Sequence, residues 1–377
     1  MIFLWMAFPA LAKRVTVAQL ERVLVAASAA RKSDADMVRQ IDGMDLSERL
    51  TDATLERLTA QLDLGSRAAL ALRLLADQSA FLDPPNSELL SRAAPDDAAQ
   101  QRMLDAARNY VAQTLARLPN FLATRTTNRY DDTPEPIEKD QWRVRAGLHL
   151  VDSSSREVSI RNEQDVQASI KGSAFQQPQG GMVSGGEFGT TLGMILSDTA
   201  KGKVTWAHWE QTVAGPVGVF HYSVPKSASH YEVIGFQRQP ASLGAVAAPN
   251  GGSRGTSGIA VTQNGASNAS IIRVRPAYRG SLWLEPATGT ILRVTVEAEG
   301  KDRGPFRRAD ILVQYGSVEI GGSEFICPLR SVALSEAFVA AGDLAGDEPT
   351  QWLNETLFTS YHRFASTVRL LKDTAAP

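Results

Sequence analysis

The chain predicts an α+β protein: an N-terminal helical domain over residues 13–118, then a curved antiparallel β-sheet, a half-barrel, over 119–372. Three observations predict it. Up to Leu118 apolar residues recur three and four positions apart, the period of a helix with one buried face. From Asn120 the period changes to two, as in strands with one wet side. Finally, Tyr278-Arg-Gly-Ser-Leu-Trp283-Leu-Glu-Pro286-Ala-Thr-Gly289-Thr-Ile-Leu-Arg293 sets two alternating runs around Pro-Ala-Thr-Gly, which is hairpin chemistry.

A length of 377 residues allows two domains, each with its own core. Hydrophobic content of 43% and charged content of 21% are those of an ordinary globular protein. With 39 basic against 41 acidic residues, the net charge of −2 leaves no basic excess to neutralise phosphates. Nucleic acid is therefore not an expected partner.

Residues 1–12 read as the remnant of a signal peptide. Ile2-Phe-Leu-Trp-Met-Ala-Phe8 is apolar, and Ala10-Leu11-Ala12 supplies the small side chains that fit the pockets of a signal peptidase. Twelve residues are too few for a bilayer, which needs about 20, so the expectation is a periplasmic or secreted protein that is not transmembrane. A single cysteine, Cys327, excludes an intrachain disulfide, and its apolar surroundings in Glu324-Phe-Ile-Cys-Pro-Leu predict a buried, inert thiol.

The helical half opens with Val17, Leu20, Val23, Leu24 and Ala27 on one stripe. Ser33-Asp-Ala-Asp36 caps the next helix and Gly43 stops it. Leu46 to Leu64 and Ala68 to Leu75 continue the stripe until Pro84-Pro85. Pro95-Asp-Asp97 then opens a longer helix, with acids against its positive end, and Pro119 closes it.

In the second half, Phe121 to Tyr130 is strand-like. Trp142, Val144, Ala146, Leu148 and Leu150 alternate with Arg143, Arg145 and His149; Ser153-Ser-Ser155 reads as a turn before a strand at Val158 to Arg161. Ser184-Gly-Gly-Glu187 has the spacing of a capping box before a helix through Phe188, Leu192 and Ile195. Strands at 204–211 and 217–224 pair across Ala214-Gly-Pro216. Residues 240–269, rich in Ala, Gly, Ser and Asn, read as a flexible insertion. Further strands at 270–279, 281–285, 290–299, 308–319, 324–335 and 353–370 raise the total to ten or more, too many for one flat open sheet.

The pattern Tyr-Arg-Gly-x-x-Trp-x-x-Pro-x-Thr-Gly-x-x-x-Arg at 278–293 resembles the lipoprotein-carrier (LolA-like) family. Ser184-Gly-Gly-Glu-Phe-Gly189, His221-Tyr-Ser-Val-Pro225 with Ser229-His-Tyr231, and Asn354 through Tyr361-His-Arg-Phe364 resemble uncharacterised exported bacterial proteins of the same build. The resemblance covers roughly 120–372 and implies a bent sheet with a concave apolar face able to hold acyl chains or a hydrophobic segment of another protein. The helical half and the insertion are departures from the carrier.

Catalytic and metal chemistry finds little support. Five histidines, at 149, 208, 221, 230 and 362, show no metal-ligand spacing, although 208, 221 and 230 could converge from neighbouring strands. There is no Gly-x-Ser-x-Gly elbow. Gly180 to Gly189 lacks the Lys-Ser/Thr of a phosphate loop, and Glu187 would repel phosphate. Trp206 and Trp209 point to opposite faces of a regular strand. No cofactor and no metal is expected. The sequence thus predicts a non-enzymatic exported protein binding a hydrophobic ligand (a lipid or acyl chain) or a protein partner of the cell envelope. The candidate wall is Trp142, Val144, Leu148, Trp206, Phe220, Trp283 and Leu292. Two alternatives stand beside it: an envelope scaffold or sensing protein with a filled interior, and a hydrolase with carboxylates or histidines gathered in a cleft.

Overall fold

The computed structural model describes residues 13–115, 117–133, 147–161, 164–166, 182, 185–212, 215–238, 269–300, 306–337 and 349–363. The expected signal remnant at 1–12, the insertion at 240–269 except Ala269, which begins a strand, and both Trp142 and Val144 lie outside them.

The N-terminal helices form where short polar side chains satisfy their free amide ends. α1 (Val17–Ala29) starts at Thr16, whose hydroxyl accepts from the Gln19 N–H while the Gln19 side chain accepts from the Thr16 N–H. Ser33 caps α2 (Asp34–Asp42) and Thr51 caps α3 (Asp52–Gln61). α4 (Ser66–Ser79) is capped from a distance: the Asp34 carboxylate accepts from the Ala68 and Arg67 amides at 2.9 and 3.3 Å. A Cβ at residue 65 would lie 2.4 Å from that carboxylate, so a larger residue there would displace the cap. β1 (Lys13–Val15) pairs in parallel with β2 (Met44–Leu46), and Leu20, Leu24, Ile41, Leu58 and Leu72 close the core of this unit.

The longer helix α5 (Asp97–Leu115) shares a different core. Its Met103, Ala107 and Val111 pack on the sheet rather than on α1–α4. The helices up to Leu118 therefore divide between two cores.

The sheet begins with β3 (Phe121–Asp131), β4 (His149–Arg161) and β5 (Gln164–Val166). After α6 (Thr190–Asp198) come β6 (Lys203–Thr212) and β7 (Gly215–Val224), then β8 (Val233–Arg238) and β9 (Ala269–Val274). β10 (Tyr278–Leu284), β11 (Ile291–Glu299), β12 (Arg308–Ile320), β13 (Ser323–Ala337) and β14 (Thr350–Arg363) complete it. Ten strands run in the order β5-β4-β3-β14-β13-β12-β11-β10-β7-β6, while β8 and β9 form a separate pair. Each neighbouring pair in the sheet is antiparallel. β5 and β6 stand at opposite ends of the order, and the sheet is not closed into a barrel. The α+β class and the hairpin at 278–293 are as the sequence predicts; Gly289 takes φ +74, the left-handed value its turn requires.

Two local expectations are overturned. Ser153 to Ser155 is not a turn: β4 runs unbroken from His149 to Arg161, with these serines opposite Asn128, Thr127 and Thr126 of β3. Hydroxyl and amide side chains bond across the ladder, Ser153 to Asn128 at 2.8 Å and Thr126 with Ser155 at 3.0 Å. This stretch of β4 is exposed throughout, so no apolar alternation marks it. Nor does the Ser-Gly-Gly-Glu segment cap α6, whose N-cap is Gly189 without a side-chain bond. Glu187 is 1% exposed and faces Arg125 of β3 at 3.4 Å.

α5 and α6 cover one face of the sheet, and the α1–α4 unit covers the other through α4. On the α4 face, Leu74 and Ala80 pack with Tyr130, Leu312, Val332, Leu334 and Leu353. A charged lattice lies in the same interface. Arg330 donates to Asp77 of α4 at 2.6 Å and to Glu355 of β14 at 2.9 Å, and Arg73 reaches Glu355 at 3.3 Å. Burial alone would lower the Arg330 guanidinium, but Asp77 and Glu355 hold it above its ordinary value. Removing one member of such a buried set leaves its partners charged and desolvated, at a cost of about 3–5 kcal/mol. Arg330→Met therefore lowers the urea midpoint steeply at neutral pH, whereas Arg39→Met, at an exposed pair with Asp36, leaves it unchanged.

Candidate functional site

The α5 face carries the apolar surface that a carrier would use. Phe220, Tyr222, Leu282, Val294, Val296, Ile311 and Val313 line it, and α5 and α6 lie directly on them. A crevice remains between Tyr110, Val111 and Leu118 on one side and Leu192, Tyr315 and Ile326 on the other, with Phe188 at its wall. Its cavity volume of about 20 Å³ has room for one or two waters. Cys327 lines it as well; the thiol is 1% exposed, and burial pushes it up to about 12, far from a reactive thiolate.

The described members of the expected wall do not share one surface. Trp206 and Phe220 stack edge to face on the α5 side, ring centroids 5.2 Å apart. Trp283 and Leu292 belong to a small cluster with Val217 and Val219 on the opposite face. Leu148 packs beside Tyr130 and Leu353 under α4. Adjacent strand positions alternate between faces, so a list chosen by hydrophobicity alone divides between them. Trp206 and Trp209, expected on opposite faces, lie on the same one with centroids 4.9 Å apart. A register shift between Trp206 and His208 inserts one residue and rotates the strand.

The α4 face holds a polar cluster instead. Glu210 of β6 accepts from Arg49 at 2.6 Å and from the Trp283 indole at 2.9 Å, and lies 3.4 Å from the His208 ring. Burial alone would raise this carboxyl, but His208, Arg49 and Trp283 together hold it down at about 2. Arg293 of β11 stacks over Trp283 and donates to the Ala80 carbonyl; burial, with Arg49 nearby, lowers it to about 10.

Two of the three histidines that could converge do so, His208 and His221, with ring centroids 6.4 Å apart. His230 is elsewhere, against the buried Asp198 at 2.5 Å. Among the described residues no group of three or more His, Cys, Asp or Glu could hold a metal ion.

The cluster also contains a serine–imidazole–carboxylate chain that sequence spacing did not reveal. The Ser281 hydroxyl lies 2.9 Å from Nδ1 of His221, whose Nε2 lies 3.3 Å from Asp83. These are the group types of a nucleophilic relay, but acyl transfer also needs donors aimed at a developing oxyanion. Ser281 sits in the middle of β10, between two paired strands, and its own N–H donates to the Thr295 hydroxyl at 2.9 Å. Such a position holds strands together and supplies no oxyanion donor from Ser281 itself.

The hydrogen bond to Asp83 raises the His221 imidazole above its ordinary 6.5 against the opposing effect of burial. This pair then stabilises the fold fully below that value, and the contribution is lost as pH rises through the raised one. The melting-temperature difference between wild type and His221→Gln accordingly shrinks as pH rises past 6.5. A difference that grows with pH would contradict the assignment.

Comparison of the chain with protein-family models, with curated proteins and with solved structures returns no match.

Proposed function

We propose that this chain is an exported, non-enzymatic binding protein of the cell envelope that engages a protein partner through its surface. The observation that carries this reading is the filling of both sheet faces by the protein's own helices. The apolar crevice of about 20 Å³ compares with the roughly 300–1,000 Å³ that a small-molecule pocket occupies. Export rests on the apolar start and Ala10-Leu11-Ala12. The likeness of the 278–293 hairpin to lipoprotein carriers supports a sheet bent around α5 and α6.

A second reading, the uptake of an acyl chain, is favoured by one feature. α6 begins without a side-chain cap, and Gly186 and Gly189 before it take φ +79 and +136. Displacing this short helix would open the crevice beside Leu192 and expose its apolar lining.

Denaturing mass spectrometry of the full chain purified from an envelope fraction distinguishes the two. The partner reading expects no stoichiometric lipid, and a discrete protein adduct when the intact envelope is cross-linked before extraction. Lipid at one molecule per chain would overturn it in favour of the displaced-helix reading.

A further inference from the structure

We propose an anion site for a phosphate-bearing molecule in the groove that Lys201, Lys203 and Lys226 share at the ends of β6, β7 and β10. This goes beyond the partner reading and does not depend on it.

The chain has only nine lysines among its 39 basic residues, and three of them line this one groove. The described ion pairs of the molecule use arginine or histidine, as in Arg49–Glu210, Arg273–Glu232 and Arg279–Glu297. Among the described residues no carboxylate stands within ion-pair distance of Lys201, Lys203 or Lys226, and all three are exposed. Three like charges around one concavity repel one another and raise the local concentration of anions. Tyr278, which lines the groove, contacts the carboxylate of Asp198. That carboxylate is buried and already accepts from the Tyr278 hydroxyl at 2.8 Å and the His230 amide at 2.8 Å.

The base of the groove is built rather than incidental. Lys203 pairs with Ser223 across the β6–β7 ladder, and Tyr278 pairs with Val224 across the β7–β10 ladder. Between the first two lysines the backbone approaches so closely that a Cβ at residue 202 would lie 2.3 Å from the Ser223 carbonyl oxygen. Glycine at that position presses the Lys201–Lys203 segment against the end of β7, which leads into Lys226. The cavity volume of about 530 Å³ leaves room for a phosphate together with part of the molecule that bears it. Ammonium groups suit phosphate oxygens because they act as point charges with rotatable donors and demand no planar fork.

The test titrates the full chain at low ionic strength with pyrophosphate by calorimetry. In parallel, co-sedimentation follows its binding to phosphatidylcholine vesicles with and without phosphatidylglycerol. Binding is expected in at least one arm. It should weaken on the order of a hundredfold in the triple variant Lys201→Gln, Lys203→Gln, Lys226→Gln. It should be retained in Lys32→Gln, an exposed lysine elsewhere. Pyrophosphate binding alone identifies a soluble phosphate ester as ligand, and binding only to the phosphatidylglycerol vesicles identifies a lipid headgroup. Absence of binding in both arms, or a correctly folded triple variant that binds as wild type does, overturns the site.

Discussion

The contact on which the architecture depends is the buried set of Arg330, Glu355 and Asp77 between β13, β14 and α4, with the half-exposed Arg73 at its edge. Glu355 and Asp77 are almost fully buried, and each is tolerable there only because a guanidinium reaches it. Apolar contact between α4 and the sheet is non-directional and would allow sliding. The ionic lattice admits one register, because Arg330 must reach a helix and a strand at once. Gln78 with Gln351, Gln314 with Asp52 and Arg49 with Glu210 repeat the arrangement at other points of the same interface. The N-terminal unit is thereby a fixed layer of the molecule.

That fixation bears on function through what it covers. An antiparallel sheet ordinarily leaves one face to solvent. Here α4 covers the middle of one face and α5 with α6 covers the other, so the centre of the ladder is buried on both sides. The molecule uses its apolar surface to hold its own helices. Among the described residues, exposed apolar side chains include Leu150 and Val151 of β4, and unpaired positive charge gathers at the lysine-lined end of β6 and β7.

How much of this was legible in the sequence varied with how local the cause was. The hairpin at 278–293 could be read because its turn needs Pro286 and Gly289 in fixed places. The helix cap at Ser33 and the burial of Cys327 were equally local. Glu187 misled because its spacing to Ser184 imitates a capping box, while its actual partner, Arg125, is 62 residues away. The bulge beside Trp206 leaves no compositional trace, so the shared face of the two tryptophans could not be read from alternation. Asp83, at the end of the α4 unit, meets His221, whose other ring nitrogen bonds Ser281, only because the ionic set brings that unit onto the sheet. Long-range electrostatics placed these groups, and no window of sequence contains it.

Differential scanning calorimetry shows whether the N-terminal helices and the sheet melt as one cooperative body. The buried ionic set between α4, β13 and β14 requires a single transition at neutral pH whose calorimetric and van't Hoff enthalpies agree. Two resolved transitions, with the residues 13–83 unit melting apart from the sheet, would contradict it.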